Sequence, residues 1–331
     1  MRNQSFYFYM PIKFLQSKLY DEYWKFAAKR QDIFVQRNVL CKNAPWTNDS
    51  ILLKYKFTNA YRVNDRVSQF LLHDIIYNNE WKCSEENLIF RILLFKIFNK
   101  ISTWNAIKNA IGDIRLYKGV FTDIENVLNQ LYNDNKKIYS GAYIMPSGCR
   151  NFGYHKKFLN HLALLKLMFH DNLVIKISKC KTLKELYELL LSYPTIGEFL
   201  AFQYAIDINY SDLTDFDEME FVVPGPGAKS GIQKCFCNIE KKNFADIIKY
   251  VAYNQEKEFK RLDLNFVPLR GRPLQLIDCQ NLFCEFDKYS RVKFPNKEGI
   301  SGRKRIKQLF IENKNKIEFI YPPKWNLRDS W

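Results

Sequence analysis

The sequence predicts a mostly α-helical protein, with two helical lobes arranged around a cleft. Three observations lead there. Apolar residues recur at helical spacing along most of the chain. Strand-like material is limited to GAYIM, FVV, LNFVPL and IEFIY. Finally, 47% hydrophobic and 16% aromatic residues over 331 positions suffice to bury a core, while 12 Gly and 11 Pro leave little for long linkers.

Taken in order, YDEYWKFAAKRQDIF (20–34) puts Tyr23, Phe26, Ala27 and Phe34 roughly on one face, with Lys25, Lys29 and Arg30 elsewhere. PWTND (45–49) breaks the pattern and offers good N-cap residues. KFTNAYRVNDR (56–66) carries Asn59, Arg62, Asp65 and Arg66 at helical spacing, which predicts a shared face. NLIFRILLFKIFNKI (87–101) is apolar nearly all round and predicts a buried helix. FHDNLVIKISKC, KTLKELYELLLSYP and TIGEFLAFQYAIDINY (195–210) continue the helical theme. The division expected is one domain over 1–295 and a basic extension over 296–331 carrying GRKRIK (302–307).

Lys and Arg number 51 against 35 Asp and Glu, a formal net charge of +16, which favours a polyanionic partner led by DNA or RNA. The eight cysteines form no CxxC pair, and the four histidines make no zinc spacing with them, so no metal and no cofactor is expected. The apolar N-terminal FYFYMPIKF is too short to span a bilayer, and reduced thiols with no signal peptide predict a cytoplasmic protein.

FVVPGPGAKSG (221–231) poses the main functional question, because Gly-rich turns ending in Lys-Ser are also found in phosphate-binding loops. A P-loop needs G-x-x-x-x-G-K-[S/T] after a parallel strand. Counting back from Lys229, the two required glycines fall on Val223 and Ala228. A helix-hairpin-helix fits better. Residues 195–210 give the first helix, VPGPGAK the hairpin and SGIQKCF the start of the second. In that reading Pro224, Gly225, Gly227, Ala228 and Ser230 approach a DNA phosphate at a helix N-terminus. Arg303, Lys304 and Arg305 add phosphate contacts.

VPGPGAK resembles the L-P-G-V-G-x-K hairpin of helix-hairpin-helix DNA glycosylases, in which LIDCQNLFCEF (276–286) is similar to the segment bearing the catalytic carboxylate. That resemblance implies a helix-hairpin-helix DNA glycosylase-like fold. It also implies Asp278 as the main catalytic group and Lys229 as a nucleophile toward the sugar. Lys229 and Asp278 are much further apart than in those enzymes, which requires an insertion; Asp246 in FADIIKY is the second choice. Longer segments resemble a narrower family, the 5-hydroxymethyluracil DNA kinase helical domains, related to the α-glutamyl/putrescinyl thymine pyrophosphorylases. They are YWKFAAKRQDIF (23–34), 45–71, FRILLFKIFNKISTW (90–104), 194–212, the hairpin 222–236 and the catalytic segment 271–291.

The function expected first is a monofunctional DNA glycosylase. It would flip a bulky modified pyrimidine such as glucosylated hydroxymethylcytosine from phage double-stranded DNA and excise it in antiphage defence. An alternative is a transferase building a hypermodified base from an activated 5-hydroxymethyl pyrimidine in DNA, and another is a DNA-binding module without catalysis. The expected base pocket takes Asn59, Arg62, Asp65, Gln203, Asp207, Gln280, Asn281 and Glu285, with Phe57, Tyr61 and Phe202 available to stack. No membrane and no obligate protein partner is expected.

Overall fold

A computed structural model describes residues 14–78, 84–239, 243–297, 299–300, 302–313 and 317–331. Most of the FYFYMPIKF segment therefore lies outside the described residues. Fourteen α-helices run through the described residues. They are α1 (Leu19–Phe34), α2 (Ser50–Lys54), α3 (Arg66–Phe70), α4 (Glu85–Phe98), α5 (Ile101–Ile111), α6 (Val120–Asn133) and α7 (Cys149–Phe152). There follow α8 (Lys157–His170), α9 (Leu173–Lys179), α10 (Leu183–Leu191), α11 (Glu198–Asn209), α12 (Pro226–Cys235), α13 (Phe244–Arg261) and α14 (Leu276–Lys293). The protein is mostly α, as its periodicity predicts. None of the described helices is long and apolar enough to cross a membrane.

Helix α4 begins where Ser84 accepts the Asn87 N–H and stops at Asn99, which turns left-handed at φ 49°. Every residue from Ile89 to Phe98 is buried, because α5, α8, α9 and α11 surround it. A second group forms around α14, against which α1, α12 and α13 pack. One contiguous hydrophobic core runs through both groups.

The closest helix contact is α12 on α14, and two glycines permit it. A Cβ on Gly227 would lie 2.3 Å from Cys284 Sγ, and one on Gly231 would lie 2.1 Å from the Phe283 carbonyl oxygen. Pro226 occupies the first turn of α12, where its missing N–H costs nothing, so the helix starts inside the hairpin rather than at Ser230. Gly225 has φ −70°, an ordinary value. The glycines serve close approach, not a left-handed turn.

Two expectations need correction. KFTNAYRVNDR is not one helix: Lys56–Asn59 is irregular, Arg62–Asn64 forms a 3-10 turn and α3 starts at Arg66. The polar spacing mimics a helical face, but these groups point into a loop network described below. None of the four strand candidates forms a strand; the described residues hold only isolated bridges, such as Tyr55 with Leu309. Tyr143 is left-handed at φ 54°, which breaks GAYIM. In IEFIY the Ile320 N–H donates to the Gln69 side chain instead of a neighbouring strand.

The C-terminal residues return across the molecule. Phe310 N–H donates to the Lys54 carbonyl, and Tyr321 hydroxyl donates to Asn64 Oδ1. Lys324 ends at the C-terminus of α11, where its ammonium meets the carbonyls of Asn209 (2.6 Å), Ser211 (2.7 Å) and Thr214. A cation there complements the negative end of the helix dipole.

Candidate functional site: a buried cationic cluster beside the hairpin

Three charged side chains meet where the 62–64 turn, α4 and α11 converge. Arg62 and Lys96 are each 1% exposed and Asp207 is wholly buried. Arg62 Nη1 lies 2.9 Å from Asp207 Oδ1, and Lys96 Nζ lies 3.2 Å from Asp207 Oδ2. Arg62 Nε also donates to Gln203 Oε1 (3.0 Å), and Nη1 to the Tyr210 hydroxyl (3.2 Å). Lys96 donates to Asn99 Oδ1. Two cations thus face one carboxylate out of water, an arrangement that folding alone does not favour. Desolvation opposes the Arg62 charge, but Asp207 outweighs it and holds the guanidinium well above its ordinary range. Desolvation lowers Lys96, with Asp207 opposing.

The cluster reaches the hairpin through two side chains. Gln203 Nε2 donates to Gln280 Oε1 (3.4 Å). A Cβ on Gly225 would lie 3.4 Å from Gln280 Nε2 and 2.8 Å from the Phe199 ring. Phe199 stacks on Tyr143, with centroids 5.8 Å apart and planes at 11°. Tyr143 in turn covers the cations: Lys96 Nζ lies 4.8 Å and Arg62 Cζ 5.9 Å from its ring centre. The start of α12 and the buried charges are therefore neighbours.

Asp278 stands in the first turn of α14. Its Oδ2 accepts the Gln275 N–H (2.9 Å) within a capping box, and its Oδ1 accepts the Arg62 N–H (2.8 Å). Burial pushes its carboxyl up to about 7, against the pull of those two N–H groups. It fixes the turn that aims Arg62. Lys229 is half-buried on α12, and its N–H donates to the Gly225 carbonyl. Asp246 is half-buried in the first turn of α13.

The other expected pocket residues divide into two sets. Arg62, Gln203, Asp207 and Gln280 form the buried network. Asn59, Asp65 and Glu285 hold the loop leading into it. Asp65 Oδ1 accepts the Asn59 N–H (2.9 Å), Asn59 Nδ2 donates to the Asn64 carbonyl, and Glu285 Oε2 accepts from Thr58 N–H and Lys288. Burial raises the Asp65 carboxyl to about 7. Asn281 is half-buried on α14, outside both sets. Phe57, Tyr61 and Phe202 belong to the core.

On the hairpin, Ala228 and Ser230 are fully buried, and Ser230 Oγ donates to Asp287 (2.8 Å). Asp287 also pairs with Lys234 (2.9 Å) and Arg291, which lower its carboxyl despite desolvation. Pro224 and Gly227 are partly exposed and Gly225 is buried. Arg303, Lys304 and Arg305 are exposed; the first two line a small cleft with Arg291, Lys297, Gly299 and Gly302.

Lys96 and Tyr143 are absent from the expected site. Lys96 was legible in principle, as the one lysine, with Arg91, in the otherwise apolar run from Leu88 to Phe98. Tyr143 carried no such sign.

Residues 17–299 match the family model described as "5-hmdU DNA kinase, helical domain", and the chain belongs to that family. A curated relative, the 5-hmdU DNA kinase of Bacillus phage SP10, is 23% identical over 286 residues. The match takes in 82% of this chain but 45% of that protein, so the chain spans about half the length of this relative. No solved structure matches. These findings overturn the expected DNA glycosylase, and with it hydrolysis of an N-glycosidic bond and base excision in antiphage defence. The named relative is a kinase, which transfers a group and does not excise a base. The missing P-loop glycines exclude a Walker loop at 223–230, and that absence is compatible with membership of the family.

Proposed function

We infer that this chain recognises a 5-hydroxymethyl pyrimidine in double-stranded DNA and presents it for group transfer at its 5-hydroxymethyl position. The reading is that of a base-hypermodification transferase rather than a hydrolase. It rests most directly on one observation: the start of the hairpin helix touches Phe199 and Gln280, which border a buried cluster carrying two cations and one carboxylate. A phosphate held at the hairpin and a flipped base held at the cluster would then be neighbours.

In this reading the chain adopts a helix-hairpin-helix glycosylase-like arrangement. Residues 1–295 form the domain and 296–331 a basic extension, and the two packing groups act as lobes. Pro224, Gly225 and Gly227 let the DNA backbone approach, and Arg303, Lys304 and Arg305 neutralise phosphates. Arg62, with Lys96, donates to pyrimidine carbonyl oxygens, while Gln203 and Gln280 complete the polar wall. Asp278 and Asp65, both held near neutrality, are positioned to take or return a proton as the hydroxymethyl oxygen reacts. The sequence contains no G-x-x-x-x-G-K-[S/T], so a phosphoryl donor, where one is used, is held by other means.

The test is selective binding followed by product analysis. Duplexes with one 5-hydroxymethyluracil should bind at least several-fold tighter than thymine duplexes, and Arg62→Met, which removes a donor to carbonyl oxygens common to both bases, should weaken binding of both. Nucleosides from DNA treated with protein and a nucleoside triphosphate are then read by mass spectrometry. Alkali-labile sites in place of a heavier base would overturn the reading.

A further inference from the structure

Tyr143 occupies a setting unlike that of an ordinary loop tyrosine. Its backbone is left-handed at φ 54°, a conformation that costs a bulky L residue energy unless its surroundings enforce it. Its ring meets both an aromatic and the two cations. Phe199 stacks on it nearly parallel, while Lys96 and Arg62 approach it from the buried cluster. The neighbours Gly141, Ala142 and Ile144 are exposed, Ile144 to 70%. The local backbone is tied by a short Ser140–Ala142 turn, with no helix or strand across 141–145.

Asp207 is shared by both cations, so at close range the cluster beneath has an excess of positive charge, with Asp65 the next carboxylate acting on both. The face of an aromatic ring satisfies that excess only weakly. Acceptor oxygens would satisfy it better, because charge-assisted hydrogen bonds out of water are among the stronger polar contacts. The slot therefore has a flat aromatic neighbour in Phe199, two strong donors within reach and an aromatic occupant of one-ring size. The hairpin stands at its edge, since Gly225 abuts the same Phe199 ring.

We propose that the Tyr143 side chain is an internal stand-in for a flipped pyrimidine, and that the slot between Phe199 and the Arg62–Lys96–Asp207 cluster is the base site. Tyr143 swings out with residues 140–145 as a base enters. The incoming ring stacks on Phe199, and its carbonyl oxygens accept from Arg62 and Lys96. The ligand class is a pyrimidine presenting carbonyl acceptors, with the 5-substituent directed toward the mouth beside Gly225. This rests on the base-recognition reading above, yet its test can fail separately. The strain at residue 143 favours release, and the self-occupied slot lowers the apparent affinity for any base by the fraction of time it stands open.

The experiment has two arms, each with the full chain. In the first, free 5-hydroxymethyl-2′-deoxyuridine is titrated into wild type, Tyr143→Ala and Tyr143→Gly by calorimetry. Both variants remove the plug, glycine also relieves the strained backbone, and circular dichroism and thermal melts identify the variants that retain the fold. Binding about tenfold tighter than wild type in a folded variant, lost when Phe199→Leu is added, is the expected result. Equal or weaker binding in the folded variants overturns the proposal. In the second arm, the same proteins bind duplexes containing 5-hydroxymethyluracil or thymine. Nucleoside binding without DNA discrimination would keep the slot and reject the DNA reading. Discrimination in wild type that Tyr143→Ala abolishes would make Tyr143 a base contact and reject the plug.

Discussion

At the scale of single residues, the buried charges make an unequal set of predictions. Removing Asp207 leaves Arg62 and Lys96 facing one another without a counter-charge. Asp207→Asn should therefore cost about 3–5 kcal/mol in urea unfolding, as for a broken buried pair. Arg62→Met leaves Lys96 and Asp207 as a balanced pair and should cost clearly less, despite removing the larger side chain. The reverse order would mean that Arg62 serves packing more than charge. Asp278 gives a pH prediction. Its carboxyl titrates near 7 when folded, above the ordinary carboxylate range, so the folded state binds the proton more tightly. Its stabilising effect is complete below about pH 4 and is lost as pH rises through 7, with a slope of at most about 1.4 kcal/mol per pH unit. Asp278→Asn should flatten that fall between pH 5 and 7. An unchanged profile would assign the dependence to Asp65 or Glu218, whose carboxyls are also raised by burial. Of these residues the sequence marked Arg62, Asp207 and Asp278 as polar members of recognisable segments. It did not mark Tyr143, because its meaning comes from a backbone conformation and a ring contact that no spacing encodes.

At the scale of elements, the hairpin is where motif and packing coincide. VPGPGAK was legible as the turn before a helix, but its glycines were expected to admit a phosphate. Gly227, with Gly231 just beyond the motif, also lets α12 lie against α14. The obstacle to a side chain at 227 is the Cys284 thiol, whereas at 231 it is the Phe283 backbone. Gly227→Ala should destabilise by about 1–3 kcal/mol and be largely rescued by Cys284→Ala. Gly231→Ala should cost at least as much and find no side-chain rescue. Failure of the Cys284→Ala rescue would show that the helix pair moves as a unit. Helix α4 was legible because an apolar run on every side leaves burial as its only option. KFTNAYRVNDR was misread because short polar side chains at three- and four-residue spacing also cap and brace a loop, as Asn59 and Asp65 do.

At the scale of the molecule, the C-terminal residues bind distant parts of the site together. Tyr321 meets the turn carrying Arg62, Lys324 closes α11 and Trp325 packs edge-on to Tyr210. Lys324→Met should lower the melting temperature and loosen Arg62, seen as faster amide exchange over 61–69 relative to α4. Composition disclosed the charge of this region but not its return path, since each anchor is an isolated contact with a remote residue. Along the way GRKRIK stays exposed. Replacing Arg303, Lys304 and Arg305 with alanine should flatten the dependence of log affinity on log salt, by roughly 0.9 for each phosphate that is no longer neutralised.

The central claim is that the site holds a modified pyrimidine through its buried cations and leaves the glycosidic bond intact. Competition binding between otherwise identical duplexes containing one 5-hydroxymethyluracil or one thymine, in wild type and Arg62→Met, tests it most directly. The account predicts a preference for the hydroxymethylated duplex in wild type, weaker binding of both duplexes in Arg62→Met, and recovered DNA with every base in place. Equal affinity for the two duplexes, or abasic sites in the recovered DNA, would contradict it.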